Sequence, residues 1–166
     1  MKLPDRLCNH IHAWAARYIS RNPLPDFIVN GKDNIPYLQR WFIIPRNRFF
    51  NIYLHRFISD DEDRALHSHP WLNCTLVIQG SYYEHLHDGS VKVRQKAQLV
   101  FRRPHCFHRI SLVQASHVPR RLLPAMSLFI TGPVVRVWTF ACPRGEVPWY
   151  EFVDARDKGS VGRGCP

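Results

Sequence analysis

No two of the five cysteines stand in a CxxC pair, and their number is odd. A disulfide scaffold and a zinc knuckle are therefore both poor readings, and most of the thiols are expected to be reduced and buried as small hydrophobes. No apolar run approaches the roughly 18 residues needed for a membrane span. The opening "MKLPDRLCNHIHAW" lacks the apolar core of a signal peptide, so a cytoplasmic location is expected. Low-complexity and disordered compositions are absent as well. Acidic residues are scarce beside basic ones, 13 against 23, which leaves a formal charge of +10. That balance suits an anionic partner, whether nucleic acid, a phosphorylated metabolite or an acidic protein, and equally a merely soluble basic surface. The arginine pairs at Arg102-Arg103 and Arg120-Arg121 come with no helix-turn-helix, zinc-finger or RNP pattern.

What is there is one domain's worth of chain, 166 residues, with a change of texture near Tyr37. Residues 4–20 read as a helix: Pro4 suits the first turn, and Leu7, Ile11, Trp14, Ala15 and Tyr18 recur at three- and four-residue spacing. This stripe should pack on a sheet. "RNPLPDFIVNGKDNIP" reads as a connector. Nine short runs rich in aromatic and β-branched residues follow, from "YLQRWFII" to "VVRVWTFAC", with no helical pattern between them. They argue for a β-sandwich or barrel. The expected organisation is a helix and connector over 1–36, a β-barrel over 37–153 with an aromatic cluster at its end, and a flexible Gly-rich tail over 154–166.

The stretch "RALHSHPWLNCTLVIQGSYYEHLHDG" carries the chemistry. On a strand, His67 and His69 point the same way about 7 Å apart, so two imidazoles can reach one metal ion. In "RRPHCFHRISLV", alternation places His108 inward with Ile110 and Leu112, and His105 outward. An imidazole among apolar neighbours is costly without a partner, and His67, His69 and His108 form the expected metal set. His10, His12, His55, His85, His87, His105 and His117 default to structural or surface roles.

His67-Ser68-His69, the Gly80 turn and the later His108 resemble the two motifs of the cupin superfamily, over roughly Phe49 to Cys142. "DDEDRALHSHPW" and "YEFVDARDKGSVGRG" resemble, more narrowly, a small cupin family of bacteria and their phages. The resemblance implies an all-β double-stranded β-helix, or jelly roll, with an N-terminal helix and one histidine-held metal in the barrel mouth. Cupins carry a glutamate in the first motif. Here that position falls on Asn73 or on Cys74, according to whether it is counted from Gly80 or from His69, and neither is a carboxylate. Glu84 can compensate if Gly80-Ser81 form a two-residue hairpin turn, pairing Val77 with Glu84. The other reading of Glu84 is a solvent-exposed strand residue.

Three neutral imidazoles with open positions suit Fe(II), and also Zn, Ni, Mn or Cu. The set is similar to that of the thiol dioxygenases, cupins that also lack the glutamate and of which several carry a cysteine at the place of Cys74. The resemblance implies a non-haem metal-dependent oxygenase acting on a small anionic substrate. Glu84 and Tyr82 are the candidate catalytic residues, and Arg103, Asn73 and Cys74 the candidate substrate contacts. A cupin isomerase or epimerase is an alternative, since fold alone does not choose the reaction. So is a non-catalytic basic β-barrel that binds nucleic acid, a small anion or an acidic protein, or serves in assembly. A homodimer is compatible with any of these, and no membrane association is expected.

Overall fold

The computed structural model describes residues 1–30, 35–61, 65–115, 122–153 and 162–166. Among them the order is helix α1 (Asp5–Arg21), then β1 (Phe27–Asn30), β2 (Pro36–Phe42), β3 (Asn51–Phe57), β4 (Leu66–His67) and β5 (Asn73–Gln79). There follow β6 (Ser81–Leu86), β7 (Val91–Gln95), β8 (Leu99–Arg102), β9 (His108–Leu112), β10 (Ala125–Thr131), β11 (Thr139–Cys142), β12 (Gly145–Pro148) and the short helix α2 (Trp149–Phe152). All nine expected runs are strands. Their pairing is antiparallel throughout, in two six-stranded sheets ordered β1-β2-β3-β10-β5-β8 and β12-β11-β4-β9-β6-β7.

Three strands are additional to that reading. β1 lies in the Pro- and Asn-rich connector, β4 has two residues and β12 follows a tight turn. All three are short, and each is held by pairing with its neighbours, β1 with β2, β4 with β9 and β11, and β12 with β11.

The first sheet has two apolar faces. One takes α1, with Cys8 and Ala15 fully buried against Trp41, Leu54, Leu76, Ile78 and Met126; of the expected stripe Ile11, Ala15 and Tyr18 pack there, whereas Leu7 and Trp14 are exposed and Cys8 takes an inward place. The other face turns Val29, Leu38, Phe57 and Val77 toward Tyr82, Ile110 and Leu112 of the second sheet. A third cluster closes one end. There Phe152 of α2 stacks on Phe140 with ring centroids 3.8 Å apart, joined by Ala65 and Val153. The aromatic segment after β12 thus packs on the barrel, as its composition suggests.

The Gly80 hairpin does not form. β5 and β6 belong to different sheets, so Glu84 pairs with Lys92 of β7 and Ile110 of β9 rather than with Val77. Gly80 is a corner between the sheets. Its φ is +71°, and a Cβ there would sit 2.7 Å from the Pro124 carbonyl oxygen, so only glycine fits. The chain folds over at this corner because both inner faces must cover one core, which a flat hairpin would leave half exposed.

The far C-terminus also departs from expectation. Cys142 and Cys165 form a disulfide, and Gly164 donates its N–H to the Phe152 carbonyl, so residues 162–166 return to β11 and α2. Cys8, Cys74 and Cys106 are free thiols. Most of the "DARDKGSVGRG" segment, and with it 154–161, lies outside the described residues, as do Arg64, His117, Arg120 and Arg121. No helix among the described residues is long and apolar enough to cross a membrane.

Candidate metal centre

The strand carrying His67 ends at once. β4 spans only Leu66 and His67, held between β9 and β11 by the register His67↔His108 and His67↔Phe140. Pro70 cannot donate to a ladder, and Ser68 instead gives its N–H and its hydroxyl to the Thr139 carbonyl. His69 therefore lies beyond the strand, which corrects the picture of two histidines on one rigid strand. The rings still converge. His67 and His69 have centroids 5.1 Å apart at a near-perpendicular 89°, and both stand about as close to His108, at 4.9 and 5.1 Å.

The three side chains offer nitrogens that all lie within 4.8 Å of one another. With small ring rotations that spread suits one ion bound at about 2.0–2.1 Å per nitrogen. The Nε2 atoms of His69 and His108 are 2.9 Å apart, which one shared proton or one metal can bridge and two protons cannot. Burial drives His69 well below its ordinary pKa, helped by His108 and His67, and drives His108 down to about 3. Both rings are thus neutral, the form that ligates.

Carboxylates stand behind the rings. Asp61 Oδ2 lies 3.2 Å from His67 Nδ1, and Glu84 Oε1 lies 2.9 Å from His108 Nδ1, an angled approach that is as much electrostatic as hydrogen-bonding. Such partners fix which nitrogen faces a metal. Glu84 is fully buried and does not line the cavity described below. Its oxygens take Nε of Arg94 and Nε of Arg102, each at 2.5 Å, and Arg102 also donates from Nη1 to the Thr75 hydroxyl at 2.8 Å. Despite burial, the His108 contact and the Arg102 guanidinium hold the Glu84 carboxyl far below the usual carboxylate range. Placed behind His108, on the side away from His69, Glu84 is positioned to orient that ring rather than to ligate.

The histidines open on a cavity of about 420 Å³. Phe, Tyr and Trp residues from both sheets, from loops and from α2 supply ten of its lining positions, with Arg40, Arg46 and Arg102 as its cations and Asp61 as its carboxylate among the described residues. Tyr82 reaches this wall, fully buried. His55, left to a default role by sequence, is there too. It accepts Arg40 Nε–H at Nε2, 2.8 Å away, and stacks on Phe129, which also packs against Tyr53 and His69.

The three expected substrate contacts are placed otherwise. Arg103 is exposed beyond the end of β8, and it is Arg102 that turns inward. Alternation counted back from His108 places Arg102 on its face and Arg103 on the opposite one, as the structure shows, so the expectation of Arg103 ran against the pattern of its own segment. Asn73 is buried on the inner face, but it does not line the cavity. Cys74 is half-buried opposite Ile130 and Phe101, both exposed, and faces away from the histidines. Asp61 and Arg102 escaped the sequence reading. The acidic run directly before "RALHSH" is the one signal that could have pointed to Asp61.

The depressed histidines make a pH prediction. A ring held neutral in the fold and free to protonate when unfolded contributes stability that is complete above the unfolded pKa of about 6.5. For His108 that contribution is lost progressively as the pH falls toward about 3. His69 and His55 act in the same direction. Each histidine should cost the metal-free protein up to about 1.4 kcal/mol per pH unit in that range. Urea midpoints should therefore fall steadily from pH 6.5 downward, and a flat profile between pH 7 and 4 would contradict the burial of these rings.

Two apposed antiparallel sheets, with inward histidines from β4, its following loop and β9, define a double-stranded jelly roll with a histidine cluster inside it. No protein-family model matches the chain and no curated protein does. Among solved structures it is similar to DMSP lyase DddQ from Ruegeria pomeroyi DSS-3, at 14% identity and a TM-score of 0.49, over 66% of this chain and 54% of that one. It is similar to FeII HppE at 13% identity and 0.47, over 60% and 52%, and to a cupin-like protein from Thermotoga maritima at 14% and 0.45, over 57% and 68%. The chain thus spans about half the length of the first two. At these identities the likeness is one of architecture alone.

Proposed function

We propose that this protein is a metal-dependent enzyme, a non-haem Fe(II) oxygenase acting on a small anionic substrate. The observation that carries the reading is the convergence of His67, His69 and His108 at the wall of a cavity of about 420 Å³, within the range of small-molecule sites. A metal held by three neutral imidazoles keeps open positions, through which it supplies Lewis acidity and, as iron, oxygen chemistry.

The remaining roles belong to the chain. Asp61 and Glu84 hold two of the rings in orientation. The Glu84 carboxylate lies between the guanidiniums of Arg94 and Arg102, so this group of three carries one net positive charge. With Arg40 and Arg46 also in the wall, the cavity favours an anion. Phe42, Tyr53, Phe129 and Trp138 exclude water and receive a carbon skeleton.

The test uses protein purified without a histidine tag, reconstituted with Fe(II) and followed in an oxygen electrode with small thiols and 2-oxo acids. Substrate-dependent oxygen uptake is expected, and its loss in His108→Ala. A wild-type protein that takes up no metal in elemental analysis would sink the reading in favour of a binding module.

A further inference from the structure

One part of the cavity wall does not support itself. α2 is a single turn with no side-chain cap, and a helix so short is unstable on its own. Yet it brings Trp149, and Val153 directly after it, to the cavity, where Trp149 stacks on Trp138. Its place is set by what packs on it. Phe152 stacks on Phe140, the strand neighbour of His67. The C-terminal segment holds the end of the turn. Gly164 donates its N–H to the Phe152 carbonyl at 3.0 Å, one of the carbonyls that a helix end leaves unpaired. Gly162 lies so near that a Cβ would stand 2.5 Å from that carbonyl oxygen and from the Val153 carbonyl carbon. Gly164 has a φ of +74°. One glycine is thus needed for close approach and the other for a left-handed backbone, which gives a task to the end of the Gly-rich motif.

A segment of this kind has little else to hold it. Its glycines carry no side chain, and Arg163 and Pro166 are exposed. Cys165 is the exception, tied to Cys142 of β11 across 23 residues of sequence. Both cysteines pack against the cluster of Phe140, Phe152 and Val153, and both are only half-buried, within reach of a small thiol. We infer that the Cys142–Cys165 disulfide is a redox latch: oxidised, it keeps the C-terminal segment on α2 and so fixes the cavity wall that α2 carries; reduced, it releases both. The reductant is a small thiol of the glutathione class. Its thiolate attacks one sulfur of the bridge, and a second thiol resolves the mixed disulfide. Two electrons and two protons pass to Cys142 and Cys165, and the reductant leaves as its own disulfide. Cys8, Cys74 and Cys106 are already free thiols, so reduction changes this bridge alone among the described residues. The latch does not depend on which metal the histidines hold.

Hydrogen exchange read by mass spectrometry tests the latch on the metal-free full chain, air-oxidised and then equilibrated with excess glutathione. Reduction should strip protection from 149–153 and 162–166, while β5 and β10 keep theirs. Anilinonaphthalene sulfonate, an apolar anion suited to an aromatic cavity with arginines in its wall, should bind the reduced form several-fold more weakly. Cys165→Ser should reproduce the reduced behaviour without any reductant, and Cys74→Ser should leave the response of the wild type intact. A bridge that native protein keeps in excess glutathione would be a fixed staple and would overturn the inference. So would unchanged protection of 149–153 after reduction, loss of protection throughout both sheets, equal dye affinity of the two forms, or a glutathione response that persists in Cys165→Ser.

Discussion

Replacing any one of His67, His69 and His108 by alanine is expected to reduce bound metal from one ion per chain to near zero. The three rings supply every histidine, cysteine or carboxylate donor in the one cluster that can hold an ion among the described residues. Glu84 and Asp61 are committed behind the rings and cannot take over without breaking their own contacts. Loss of one ligand leaves a two-nitrogen site, too weak to survive dialysis against a chelator. His105→Ala is the control. Its ring is exposed and bonded to Arg136. Elemental analysis after dialysis gives the occupancy, and the visible spectrum of the Co(II) form reports the geometry. Full occupancy in the His67→Ala/His108→Ala double variant would place any metal elsewhere.

The second large effect is expected at Glu84. Glu84→Gln keeps the shape but removes the charge that stands between Arg94 and Arg102. Arg102 is 4% exposed, so the change leaves a cation buried without its counter-ion. Breaking a buried pair in this way costs about 3–5 kcal/mol, a large part of the roughly 5–15 kcal/mol that holds a domain together. Arg94 has a side chain 19% exposed, and Arg94→Gln should cost far less, because water and the remaining Arg102 pair compensate. Metal affinity should also drop in Glu84→Gln by about 10–100-fold, the usual effect of removing a partner that orients a ligating histidine. Urea denaturation and metal titration measure the two effects independently. Unchanged stability would show that Glu84 and Arg102 do not need each other. Complete loss of metal, equal to that of His108→Ala, would make Glu84 a ligand.

Glu84 also shows the limit of reading along the chain. Its inward orientation was legible as one of two options, but through a hairpin that the fold does not contain. The carboxylate is buried because Gly80 turns the chain from one sheet into the other, where β6 lies between β7 and β9. Arg102 and Arg103 differ by one step of alternation, and counting back from His108 puts Arg102 on the inward face, so here the local pattern held the answer.

The sequence by itself determined the helix, nine of the twelve strands and the three inward histidines. These follow from side-chain spacing within a single element, where backbone geometry dictates which residues share a face. The tertiary structure alone decided the rest. It chose which strands meet across the corner and which carboxylate stands behind each histidine. It also brings Cys165 back to Cys142. All of these are pairings between residues far apart in the chain, set by two sheets closing over one core, and no single element's pattern encodes them.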